Sequence, residues 1–197
     1  MKTINILIIS LAIAVSFAGC QKDEFSLDIL DDIDYEIYSL ILDERFPDVR
    51  FPNIEFTVRQ ETTLWVEINL NSAFEYLNSL ADVDTSVFID YISKNETIHY
   101  LDSNKFKVAG KVVILISAEE LEEYFDNSFH WDWFYDKYPD SNGLIIFKRI
   151  GYNSDKRQAI VRFERIPGGH GEGSLVYLAK NDNNEWEIIE WTQIWIG

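Results

Sequence analysis

From residue 143 to the C-terminus the chain spells four runs in which apolar and polar side chains alternate, at 144–150, 158–165, 174–180 and 185–196. The gaps hold turn formers: Gly-Tyr-Asn-Ser-Asp at 151–155, Pro-Gly-Gly-His-Gly-Glu-Gly at 167–173 and Asn-Asp-Asn-Asn at 181–184. Period-two alternation lines one face of a strand with apolar residues, and short Gly- and Asn-rich gaps join strands that are antiparallel neighbours. The last third therefore predicts a four-stranded antiparallel meander. In its last run Trp186 and Ile188 share one parity, while Ile189, Trp191 and Trp195 take the other. Either a bulge near 188–189 resets the register, or both faces of that strand are covered.

Upstream the period changes. Ile33, Ile37, Leu40 and Ile41 follow the 3.6-residue repeat of a helix that Asp31 or Asp32 would cap, ahead of Pro47. Residues 53–59 and 64–70 alternate as half-buried strands, and Ser72 with Glu75 predicts a capping box for a helix reaching residue 80. A second helix is expected over 84–94 and strand-like pieces over 97–101 and 106–116. The uninterrupted apolar run at 112–116 suits a strand buried on both faces. Ser117 and Glu120 offer another capping box, with Glu119, Glu120, Glu122 and Glu123 read as a solvated face. Trp131, Phe134, Tyr135 and Tyr138 form the stripe of a further helix over 128–138. Helices mostly first and a meander last make an α+β class without a βαβ rhythm. The 151–155 turn, the Ala159 to Phe163 strand and the Trp186 to Trp191 strand loosely resemble domains of Bacteroidota proteins and the closing sheet of NTF2-like domains. That resemblance implies an NTF2-like cone as the alternative architecture and carries no functional residue.

The N-terminus reads as an address. Lys2 precedes an apolar run at 4–17, too short for a comfortable membrane span, which ends in small residues and the chain's single cysteine. The stretch Phe17-Ala18-Gly19-Cys20 resembles the lipobox of bacterial lipoproteins, with Phe17 where Leu is usual. The resemblance implies cleavage of a signal peptide at 1–19 and attachment of lipid to Cys20. The following Gln21-Lys22-Asp23-Glu24 looks like the Lys-acidic export signal of surface-exposed Bacteroidota lipoproteins. These features imply an outer-membrane lipid anchor, with display on the cell surface and a periplasm-facing anchor as the alternative. Residues 20–32 are then an acidic tether, and 33–197 a single α+β domain.

Seventeen Lys and Arg stand against 34 Asp and Glu, a formal net charge of −17 and a sequence pI near 4.4. Such a chain lacks the cationic surface that nucleic acid requires. One cysteine excludes an internal disulfide framework. No two of His99, His130 and His170 have helix-pair metal spacing, Asp31, Asp32 and Asp34 lack the rest of a calcium loop, and no cofactor motif is present. Two low-specificity candidates remain: His130 and Trp133 as a binding surface on the polar side of the 128–138 helix, and His170 with Glu172 in the Gly-rich loop. The surface address, six Trp and ten Tyr, and the lack of a catalytic signature favour a non-catalytic module that binds a neutral glycan, peptide or protein. A hydrolase whose carboxylates meet only in the fold is the alternative.

Overall fold

The computed structural model describes residues 30–46, 55–63, 70–80, 82–125 and 131–197. The element order is α1 (Asp32–Arg45), β1 (Glu55–Arg59), α2 (Leu70–Leu80), α3 (Ser86–Lys94), β2 (Val112–Ile116), α4 (Ala118–Phe125), α5 (Trp131–Lys137), β3 (Ser141–Phe147), β4 (Gly151–Tyr152), β5 (Gln158–Ile166), β6 (Glu172–Lys180) and β7 (Trp186–Ile196). All seven strands join one sheet in the order β2-β1-β3-β5-β6-β7, with β4 beside β5.

Its two halves differ in kind. The strands β3, β5, β6 and β7 pair antiparallel in sequence order, but the first run of the expected meander is broken. It leaves β3 at residue 147 and re-enters as the two-residue β4, both on β5. The last strand carries the bulge its parity called for: Tyr177 pairs with Glu190 and Leu178 with Ile188, which makes Ile189 the extra residue. By contrast β1 pairs parallel with both β2 and β3, and helices lie between each successive pair in the chain. This corrects the expectation of no βαβ rhythm. Short strands separated by two helices each leave no local periodicity that would distinguish a crossover from a hairpin.

Parity divides the sheet between two helical layers. On one face, Phe56, Val58, Ile145, Phe147, Val161, Phe163, Val176 and Leu178 pack against the buried stripe of α1, namely Ile37, Tyr38, Ile41 and Leu42. Leu30 belongs to this cluster, so the fold takes in residues assigned to the tether from sequence. On the other face α2 and α3 cover Ile160, Leu175, Tyr177 and Ile194, while α4 and α5 cover Ile116, Leu144 and Ile146. Gly151 lets α3 approach, because a Cβ there would overlap the Val87 carbonyl and Tyr91.

Further expectations give way. Thr57 is as buried as Phe56 and Val58, so β1 is covered on both faces. The apolar run of β2 is instead an edge strand, with Val112 59% exposed. Hydrophobicity alone does not set a strand's place in a sheet. Residues 106–108 form no strand: the chain passes α1, where the Lys107 amide donates to Ser39 Oγ at 2.9 Å. Ser72 lies inside α2 instead of capping it. Ser117 does cap α4, its Oγ accepting from the Glu120 amide at 3.1 Å. Glu120 does not reach back. Its Oε1 accepts from Lys137 Nζ at 2.7 Å and from the hydroxyl of Tyr138 at 2.5 Å, fastening α4 to the end of α5. The expected 64–70 strand lies mostly outside the described residues, except that Leu70 opens α2.

Candidate functional site

At one end of the meander the C-terminal turn of α1, the end of β5 and the start of β6 bring together Arg45, Arg165 and Glu172. With Pro167, His170, Gly171, Ile196 and Gly197 they line an open hollow of about 490 Å³. Glu172 Oε1 accepts from Arg45 Nη2 at 2.5 Å and from Arg165 Nη1 at 3.4 Å. Arg165 and Glu172 face each other in the β5–β6 ladder, so strand pairing supplies half of the arrangement. The rest of the Arg165 fork is tied down: Nε donates to the Asn142 carbonyl at 3.1 Å and Nη2 to Asn142 Oδ1 at 3.1 Å. The guanidinium also lies over the Phe46 ring at 5.6 Å. Arg45 is the more exposed partner, with 41% of its side chain accessible.

His170 and Glu172 thus share a hollow, as their closeness in sequence allows, and Glu172 is tied there to two arginines. A carboxylate oxygen held by two guanidinium groups is charge-compensated, and proton abstraction would have to break both contacts. Two glycines of the loop serve packing. An added Cβ on Gly173 would overlap the Trp195 indole, and one on Gly171 would come within 2.5 Å of its Cη2. These two glycines make room for Trp195. Arg45 and Arg165 escaped the sequence reading because Arg45 meets Glu172 across 127 residues. The only local signal was an arginine and a glutamate flanking a turn-rich gap.

A second concentration of charge lies inside the fold. On the face shared by the two helix pairs, Arg162 and Glu164 of β5 stand between the apolar positions Ile160 and Ile166, and their side chains meet at 2.5 Å. Lys148 donates from Nζ to the Thr63 carbonyl at 3.1 Å, and Arg59 Nε lies 3.6 Å from Glu61 Oε2. Arg162 and Lys148 are only 5% and 4% exposed. Burial pushes the Lys148 ammonium down to about 8, against the pull of Glu164. Glu61 Oε1 accepts from the Ala118 amide at 3.1 Å and so helps satisfy the start of α4. The row separates the apolar cluster under α2 and α3 from that under α4 and α5. Alternation made 162 and 164 look like a solvent face, yet helices cover it.

Another buried carboxylate is Asp34 in the first turn of α1. Its Oδ1 accepts from the Tyr152 hydroxyl at 2.7 Å, and burial raises its carboxyl above the ordinary value of 3.8. This group sits within the layer between α1 and the sheet, outside the hollow. His99 is also structural: its amide donates to Thr62 Oγ1 at 3.0 Å and its Nε2 contacts Thr97 Oγ1 at 2.9 Å. Trp133 lies on the outer side of α5, 54% exposed, while Phe134 on the same helix is fully buried. Cys20 and His130 lie outside the described residues. Among the described residues no group of three His, Cys, Asp or Glu could hold a metal ion, and no helix is long and apolar enough to cross a membrane. Comparison with protein-family models, curated proteins and solved structures finds nothing that matches this chain.

Proposed function

We propose that this chain is a lipoprotein, anchored through Cys20 to the outer membrane and displayed at the cell surface, whose α+β domain binds a neutral glycan without catalysing a reaction. The anchor rests on Phe17-Ala18-Gly19-Cys20 and surface display on Gln21-Lys22-Asp23-Glu24. The binding reading is carried by one observation: Glu172 bridges Arg45 and Arg165 at the wall of an open hollow. Guanidinium and carboxylate groups offer planar donor and acceptor forks that match the paired hydroxyls of a sugar. Glu172 offsets one of the two guanidinium charges, and the chain's formal net charge of −17 repels small anions, so the ligand that fits is uncharged. A bound sugar would lie against backbone at Gly171 and the apolar side chain of Ile196.

A glycan array probed with the purified protein and with its Arg45→Ala variant tests this. Arg45 is chosen because its side chain is partly exposed and its loss leaves the Arg165–Asn142 contacts intact. Neutral glycans bound by the wild type and weakened about tenfold in the variant support the site, in line with roughly 1.4 kcal/mol for one charge-assisted contact. An array on which both proteins behave alike removes it.

A further inference from the structure

The hollow at Arg45 and Glu172 is the first of three in a row along one flank of α1. The second, of about 380 Å³, has Glu44, Ser174, Trp191 and Gln193 in its walls together with Arg45 and Glu172. The third, of about 500 Å³, lies between Leu40 and Glu44 of α1 and the β7 residues from Trp186 to Trp191. Neighbouring hollows share walls. Arg45 and Glu172 border both the first and the second, and Glu44 and Trp191 both the second and the third. Together the three make one trough between α1 and the sheet.

The floor of the trough depends on two bulges in β7. Val176 and Leu178 belong to the apolar layer under α1, so their cross-strand partners Trp191 and Ile188 share that face. An unbroken two-residue period from Ile188 would turn Glu190 and Thr192 to this side. The extra residue at Ile189 shifts the parity, so Trp191 and Gln193 take their places opposite Val176 and Ser174. A second extra residue, Ile194, shifts it back and sets Ile196 opposite Glu172. From the Glu172–Ile196 pair to the Leu178–Ile188 pair β6 advances by about 20 Å, room for several sugar rings in line.

The groups along this floor suit such a chain. Trp191 is half-buried, its ring 5.9 Å from that of Phe163 and nearly perpendicular to it, which holds the indole at the trough wall. Among the described residues the side chains of Glu44, Ser174 and Gln193 make no hydrogen bond or ion pair with the protein, and Glu44 and Gln193 are exposed. Their hydroxyl, amide and carboxylate groups can take the hydroxyls of a sugar, and the indole can pack against its C–H face. The third hollow carries Glu44, Glu187 and Glu190 and no basic residue, which disfavours an anionic chain. An extended peptide on this face would find no ladder, because β6 pairs its backbone with β5 and β7.

We propose that the trough takes a linear neutral glycan of several sugar units, with one ring at Arg45 and Glu172 and later rings passing Ser174 and Gln193 to reach Trp191. This rests on the reading of the first hollow as a glycan site, and adds the length of the chain and the residues that select for it.

The test titrates the full chain calorimetrically with mono- to hexasaccharides of β-1,4-glucose, α-1,4-glucose, β-1,3-glucose and β-1,4-mannose. In a series that binds, the hexasaccharide is expected to bind at least tenfold more tightly than the disaccharide. Gln193→Ala, at an exposed position, and Trp191→Phe, which keeps a ring beside Phe163, should each weaken the hexasaccharide at least threefold and leave the disaccharide unchanged. Arg45→Ala should weaken both. Equal affinity for the two lengths, with Arg45→Ala still weakening both, would overturn the trough and leave the first hollow standing. Loss of disaccharide and hexasaccharide binding alike in Gln193→Ala, or no effect of Gln193→Ala and Trp191→Phe on the hexasaccharide, would also overturn it. Tighter binding of the hexamer of β-1,4-glucosamine, a cationic chain, than of the β-1,4-glucose hexamer would overturn the neutral ligand class. Absence of binding in all four series at about 10 mM would remove the trough and the first hollow together.

Discussion

Replacing Asp34 by Asn isolates a single electrostatic balance inside the fold. The Asp34 carboxyl is 3% exposed, and its defined partner is the Tyr152 hydroxyl at 2.7 Å. Burial disfavours the charged form and outweighs the help of Tyr152, Arg149 and Lys94, so the native pKa lies above 3.8. With a raised native value, the stability contributed by Asp34 is complete below the unfolded pKa and is lost as pH climbs through the native one. Each unit of elevation costs about 1.4 kcal/mol at pH 7. Against this, a carboxylate in the first turn of a helix is favoured by about 0.3–1 kcal/mol through the helix dipole. Less than one unit of elevation is therefore enough for the charge to be a net burden. Asparagine keeps the volume and an oxygen that accepts from Tyr152. The Asp34→Asn variant should thus gain on the wild type as pH rises from about 4 to 7, with its thermal midpoint about 2–4 °C higher for each kcal/mol. Thermal melts of both proteins at closely spaced pH values follow this difference. A variant that loses ground as pH rises would show that Arg149 and Lys94 stabilise the carboxylate more than burial opposes it, and would refute the reasoning. Tyr152→Phe supplies the companion measurement: it strips the buried carboxylate of its donor and should cost about 1.5–3 kcal/mol at neutral pH.

Three other substitutions probe different parts of the fold. Gly173→Ala forces a methyl into the Trp195 indole and should destabilise by about 1–3 kcal/mol in chemical denaturation, whereas Gly169→Ala, which meets open space, should change little. Lys148→Met removes a buried ammonium whose native value is near 8. Because that value is depressed, the wild type should become more stable from about pH 8 to 10.5 by up to about 3 kcal/mol relative to the variant, and a constant difference would contradict the burial argument. Burial works to raise the Glu120 carboxyl, but hydrogen bonds from Lys137 and Tyr138 hold it below its ordinary 4.5. Its contribution is present above that value and fades as pH falls, so Glu120→Gln should cost about 1 kcal/mol at pH 7 and progressively less in acid.

Local pattern carried the elements whose neighbours in sequence are also their neighbours in space. The helix stripe of Trp131, Phe134, Tyr135 and Tyr138 and the bulge at Ile189 were legible because each is written within a dozen residues. The parallel trio was not, since β1 meets β2 across two helices and no periodicity records which strands pair. The run at 112–116 misled for the same reason: its composition matches a central strand, and only the pairing places it at the edge. In the hollow, His170 and Glu172 were visible as polar residues in a Gly-rich loop, but Arg45 reaches them from α1 through the tertiary fold alone. The buried row of Arg162 and Glu164 was concealed by its own regularity, because charges on alternate positions read as a solvent face until helices are known to cover it.

The proposed placement of this domain at a membrane rests on Cys20, and mass spectrometry of the N-terminal peptide from the membrane fraction tests it most directly. The expected peptide begins at Cys20 and carries a diacylglyceryl thioether, and Cys20→Ser leaves an unlipidated precursor that retains residues 1–19. A wild-type peptide with an unmodified Cys20, or a mature chain that still carries residues 1–19, would contradict the anchor and with it the proposed display of the domain on the cell surface.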